Sequence, residues 1–152
     1  MYLVSVILLL FVLPAASVLI DLVWVGGTDL LLLIGKWFVF WAVGVRLFIA
    51  GVRQVVQPQF TSEGIFEIKD RAAFVIVREV GFGNLSMGTL GLASLAKSGF
   101  LVPAAIVGGL YYGLAGAGHL LRRGRNFAGQ TAMISDLMMF VVLAVFVASR
   151  AF

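Results

Sequence analysis

Apolar residues dominate five long stretches of the chain, at 2–25, 30–52, 72–95, 101–121 and 131–149, and polar residues collect between them. A helix needs about 20 mainly apolar residues to cross a bilayer, so the pattern predicts five transmembrane helices. Pro14 falls near the middle of the first and predicts a kink there. Gly26-Gly27-Thr28-Asp29 predicts a tight turn, with Thr28 or Asp29 capping the second helix. Lys97-Ser98-Gly99 predicts another turn, and Pro103 is tolerated in the first turn of the fourth helix. Turns this short pair the first helix with the second, and the third with the fourth, as antiparallel neighbours. The longest connection is 53–71. Pro58 disfavours helix at Gln57 and ends the second span. Residues 61–68 then read as a short amphipathic helix capped by Thr61 or Ser62, with Ile65, Phe66 and Ile68 at the lipid interface.

The expected fold is all-α: one domain over 1–152, a bundle of five transmembrane helices with a short interfacial helix between the second and third. The chain shows no internal repeat. Two stripes of small residues predict where helices come close. In the third helix Gly81, Asn84, Gly88 and Gly91 fall near one stripe. In the fourth, Ala105, Gly109, Gly113 and Ala117 recur at strict four-residue spacing. The two smooth faces are complementary, which favours packing of the third helix on the fourth over packing on another subunit.

Composition reinforces the class. Hydrophobic residues make up 62% of the chain and charged ones 12%, against about 25% charged in ordinary soluble domains. There is no cysteine, which excludes disulfides, thiolate metal sites and a cysteine nucleophile. The net charge of +4 does not point to nucleic acid, because the basic residues flank apolar segments, where they set topology and meet lipid head groups. With five spans, Arg53, Lys69, Arg71, Arg122, Arg123 and Arg125 share a side with the N-terminus, and Lys97 and Arg150 lie opposite. This asymmetry places the N-terminus in the cytoplasm and the C-terminus outside. Met1 to Ile20 carries no Lys or Arg, unlike the start of a secretory signal. It reads as a retained helix, with cleavage after Pro14-Ala15-Ala16-Ser17 as the alternative.

A few charges interrupt the spans, and their depths agree. Arg46 lies roughly 7 Å to the cytoplasmic side of the second helix's centre at Trp41, at about 1.5 Å per residue. Glu79 reaches about the same depth in the third helix and Arg78 lies slightly further out. Asp136 sits roughly 6 Å from the centre of the fifth helix, and His119 about 12 Å from that of the fourth. Each charge costs about 2.5–3.5 kcal/mol in hydrocarbon, so they should face inward and pair. The first expected pair is Arg46 with Glu79 and the second Arg78 with Asp136. On the other side, Asp21 and Lys36 reach similar depths. Arg46, Arg78, Glu79, Asn84, His119 and Asp136 are thus candidates for one polar pocket, passing protons or holding an anion. The same charges also suit a neutral network that only fixes helix order. His119, beside Arg122 and Arg123, also fits an interfacial position. Tyr111 and Tyr112 fit cavity lining or, more simply, aromatic packing.

No phosphate loop, H-E-x-x-H pair or G-x-S-x-G elbow is present. One histidine without cysteine argues against zinc or haem, and no cofactor or catalytic residue is assigned. The ordered set Arg53-Gln54-x-x-x-Pro58-x-Phe60-Thr61, Arg78-Glu79-x-Gly81-Phe82-x-Asn84-Leu85-x-x-Gly88, Ala115-Gly116-x-Gly118-His119, Asn126-Phe127 and Ser135-Asp136 resembles a family of small multi-pass bacterial membrane proteins of unknown function. The likeness covers roughly residues 44–145. It implies a bacterial inner-membrane protein and draws attention to the same polar residues, without naming a substrate. The leading expectation is a non-enzymatic membrane protein whose cytoplasm-facing pocket binds or passes a small solute or ion. A structural or accessory subunit, and a small enzyme acting on lipid, are the alternatives. Expected partners are membrane lipids and, since five short helices rarely enclose a pathway alone, further copies or a larger membrane complex.

Overall fold

A computed structural model describes residues 2–26 and 29–151; most of these are helical, and there is no strand among them. Six helices follow in order. α1 spans Tyr2–Val25 and α2 Leu30–Val56. α3 is the short Pro58–Ser62. α4 is Ala73–Ala96, α5 Leu101–Leu121 and α6 Phe127–Ala151. Four helices are long and apolar enough to cross a membrane: Tyr2–Val25, Leu30–Val56, Ser98–Leu121 and Phe127–Arg150. Four of the five expected spans meet that description. α4 has 24 residues but stands outside this set. Arg78, Glu79, Asn84, Ser86, Thr89 and four glycines dilute its apolar character.

Local chemistry explains the boundaries. The Asp29 carboxylate accepts the Leu32 N–H at 2.9 Å and caps α2, while Thr28 lies outside the described residues. Pro14 is accommodated by π-helical winding over Leu8–Val12, just before it, so its missing N–H falls where the ladder is already loosened. Asn126 accepts the Gly129 N–H at 2.8 Å, which starts α6 at Phe127 rather than at 131. The interfacial helix is displaced as well. Pro58, with its fixed φ, opens α3 directly after α2, so Thr61 and Ser62 lie in its last turn instead of capping a helix over 61–68. The Ser62 hydroxyl instead donates to the Ile68 carbonyl at 2.5 Å and folds the connection back on itself.

The small-residue stripes find partners other than those expected. α4 lays Gly81, Gly88 and Gly91 against α2, antiparallel, where Gly51, Phe48 and Gly44 meet them. A Cβ on Gly88 would stand 2.6 Å from the Phe48 nitrogen, and one on Gly91 would strike the Gly44 backbone. Backbone thus meets backbone, the closest approach two helices can make. α5 turns its small residues to α6 instead, giving room to Leu143 at Gly109, Phe140 at Gly113 and Leu137 at Gly116. Ala105 is fully buried, but Ala117 is exposed. Four-residue steps drift by about 40° each on a helix of 3.6 residues per turn, so the contact passes to Gly116. The core lies between α1, α2, α5 and α6, where Leu10, Val39, Val43, Tyr112, Met139, Leu143 and Phe146 are all but inaccessible.

Candidate functional site

α2 changes winding where it carries its buried charge. Over Val39–Arg46 it adopts π-helical turns, which loosen the normal ladder of carbonyl bonds. The Ala42 carbonyl within this stretch accepts the Tyr112 hydroxyl at 2.5 Å. Tyr112 in turn accepts Arg46 Nη1 at 3.2 Å, and the same Nη1 stands 3.5 Å from Asp136 Oδ1. Three helices are tied at one point, and Arg46 and Asp136 are mostly shielded, with side chains 15% and 9% accessible.

Arg46 therefore pairs with Asp136, not with Glu79, and Arg78 does not meet Asp136. Both Arg78 and Glu79 face outward on α4. The reason lies in the glycine stripe, which fixes the inward face of that helix. From Asn84, Glu79 stands about 140° away and Arg78 about 120° on a helical wheel of 3.6 residues per turn. Depth alone could not show this, because residues at one depth can lie on any side.

Beside the Arg46–Asp136 pair lies a cavity of about 420 Å³. Of the six expected pocket residues, Arg46, Asn84, His119 and Asp136 line it. Asn84, 1% exposed, donates Nδ2 to Gln54 Oε1 at 2.7 Å, while its Oδ1 accepts no hydrogen bond among the described residues. Arg53 lies at the rim with its guanidinium over the Phe60 ring, 3.4 Å from the centroid. Among the described residues no carboxylate pairs with it. Tyr2, Arg53 and Gln54 also line the cavity and were not assigned to it from the pattern, and Tyr111 lines it too, although aromatic packing was the simpler reading of its position. Gln54 carried a usable signal, since it sits on the face of α2 that includes Gly51. Tyr112, Met139 and Leu143, each fully buried, belong to the apolar core and do not line the cavity.

The 57–72 connection closes one end of the cavity. The Phe66 ring stacks on His119, with centroids 5.5 Å apart and planes 8° from parallel. Arg122 donates to the carbonyls of Ile65, at 3.3 Å, and Phe66. Asn126 donates to the Gly64 carbonyl at 3.1 Å. Tyr2 packs near Phe60 at 6.3 Å, so the start of α1, the connection and the 122–126 turn meet at one end of the bundle. At the opposite end Arg150 reaches Asp29 at 2.8 Å, and Lys36 meets Asp21 at 2.6 Å.

Residues 2–151 match a family of unknown function, DUF6790. The chain belongs to that family. The match extends past the 44–145 region whose motifs suggested the resemblance, and takes in the first helix. No curated protein and no solved structure matches the chain. For this member of DUF6790, the site itself is the basis for any functional reading. Among the described residues no three His, Asp or Glu side chains gather as a metal site would require.

Proposed function

We propose that this DUF6790 protein is an integral protein of the bacterial inner membrane whose cytoplasm-facing chamber binds a small solute. The observation that carries the reading is the cavity beside Arg46 and Asp136, held inside a bundle otherwise packed with apolar side chains. A ligand pocket commonly combines a mainly apolar wall with a few placed polar groups, in a volume of about 300–1,000 Å³. The chamber fits that description.

In this arrangement α4 is the fifth span. It runs beside α2 from Gly81 to Gly91. Ser86 and Thr89 donate to the Phe82 and Leu85 carbonyls, so neither hydroxyl is left bare toward lipid. Arg78 and Glu79, in its first two turns, can extend to the interface. The basic end of the bundle, with Arg53, Arg122 and Arg125, then faces the cytoplasm with the N-terminus. Tyr112, bonded to Arg46, and Met139, about one turn beyond Asp136 on α6, are fully buried, and such close packing favours holding a solute over passing it straight through. The Arg46–Asp136–Tyr112 network suits an accessory subunit equally well, so the test addresses the chamber itself.

The chain has no cysteine, so single cysteines report cleanly. Ala115→Cys, in the cavity wall, should react with a sulfonate-bearing methanethiosulfonate added to the cytoplasmic side of membrane vesicles. Leu114→Cys, on the outward face, should not. Equal resistance at both positions would overturn the chamber and leave the accessory-subunit reading.

A further inference from the structure

The cavity wall has two unlike sides. One is cationic and partly unsatisfied. Arg46 spends Nη1 on Tyr112 and Asp136, and the neutral Tyr2 hydroxyl also stands near its guanidinium, so Asp136 is its one anionic partner among the described residues. Arg53 has no acidic partner among them. Arg46, Arg53 and Asp136 leave one positive charge in excess. Such donors suit one anionic group. Asn84 Oδ1 is buried and accepts no hydrogen bond among the described residues, although the Tyr111 hydroxyl stands near the same amide, so it is open to a donor from a ligand. A hydroxyl supplies one, and a bare carboxylate does not.

The other side is apolar and open. Ile49, Ile76 and Val80 line the cavity and are also 53%, 68% and 41% exposed on the outside of the bundle. They form a greasy lateral rim, where the bilayer would lie against α2 and α4. A freely soluble anion has no use for such a rim, whereas an acyl chain can leave through it. The volume of about 420 Å³ accommodates a head group with the start of a chain, with the remainder outside.

We infer that the chamber takes a lipid amphiphile whose head carries one anionic group and a free hydroxyl, with its chain leaving between Ile49 and Val80. This rests on the chamber reading and names its ligand class. The phosphoglycerol chemistry of such a head also exists in soluble form, so the test separates the two sources.

The test is native mass spectrometry of the delipidated full chain in a non-ionic detergent. The probes are lysophosphatidylglycerol, lysophosphatidylcholine, oleate and glycerol 3-phosphate. Lysophosphatidylglycerol should be retained at least about tenfold better than lysophosphatidylcholine, which keeps a hydroxyl but whose choline cancels the phosphate charge, and than oleate, which has the charge but no hydroxyl, a ratio worth about 1.4 kcal/mol. Val80→Trp, which narrows the rim, and Arg53→Gln should each lower its retention about tenfold, the scale of one charged hydrogen bond. Both positions are exposed, so neither change should prevent folding. Equal retention of all three lipids, or indifference to both substitutions, would overturn the proposal. Displacement of the lysolipid by glycerol 3-phosphate would also overturn it while leaving a solute chamber standing. Failure of every probe together with an unreactive Ala115→Cys would remove both readings.

Discussion

Arg46 and Asp136, ninety residues apart in the chain, meet at 3.5 Å with Tyr112 bridging Arg46 to the Ala42 carbonyl. The pair joins α2 to α6 through α5, and each charge has lost most of its contact with solvent. Removing one member leaves the other uncompensated, which typically costs about 3–5 kcal/mol. Asp136→Leu should therefore lower the melting temperature sharply in a fixed detergent. Arg46→Met added to Asp136→Leu should restore much of it, because the stranded charge is gone. Glu79→Gln, on the outer face of α4, should stay within about 0.5 kcal/mol of the native chain. A larger effect at Glu79 than at Asp136 would contradict the pairing.

The α2–α4 contact makes a sharper claim about single methyl groups. A Cβ on Gly91 would strike the Gly44 backbone, whereas one on Gly83, in the same helix, meets nothing within 4 Å. Gly91→Ala should cost about 1–3 kcal/mol, as overpacking does. Gly83→Ala should be neutral or stabilise by up to about 1 kcal/mol, through the usual preference for alanine in a helix. Melting the two variants side by side checks this. Equal effects would mean that the helices do not approach through their glycines.

A third prediction concerns the opposite end. Asp29 accepts the Leu32 N–H and both oxygens face Arg150. The backbone bond first, and then Arg150, hold its carboxyl below the ordinary value of 3.8. A depressed folded-state pKa means that the unfolded chain takes up the proton first as pH falls. The stabilisation is therefore complete above the ordinary value and is lost as pH drops below it, through the folded pKa. Melting curves between pH 3 and pH 6, on the scale where carboxylates titrate at about 3.9, should show the gap between native chain and Asp29→Asn closing at the acid end. A gap that widens there would reverse the assignment.

Much of this was legible in the sequence, and the misses share a cause. Runs of apolar residues located every long helix, and hydrophobic length fixes depth; Arg46, Asp136, Asn84 and His119, singled out in the sequence, all line one cavity. Rotation about the helix axis was harder. Glu79 was paired by depth although the glycine stripe of its own helix already turned it outward. Partner choice between stripes was harder still. Gly44 and Gly51 of α2 repeat the seven-residue interval of Gly81 and Gly88, but they lie within an otherwise bulky apolar run. The π-helical winding of Val39–Arg46 shifts the register ahead of Arg46, and nothing in an apolar run announces it. Asn126 did carry a helix-start signal, and following it would have moved the beginning of α6 to Phe127.

The segment over the cavity gives the last prediction. Phe66 rests on His119, and Arg122 holds the Ile65 and Phe66 carbonyls from the far side of the opening. Hydrogen bonds to a charged donor contribute about 1.5–3 kcal/mol each, enough to keep a short connection closed most of the time. Arg122→Gln removes the charge and the fork, so the segment should open more often without disturbing the core below it. Modification of Ala115→Cys by the sulfonate reagent should then speed up by about tenfold or more, since 1.36 kcal/mol corresponds to a factor of ten. Arg123→Gln is the matched control. Arg123 is exposed, and no side-chain hydrogen bond of its own appears among the described residues, so its loss should leave the rate unchanged. If both substitutions accelerate labelling equally, general loss of positive charge at that end explains the effect and the segment is not a fastened cover. If neither does, the reagent reaches Ala115 without displacing the segment, and the segment is not a fastened cover.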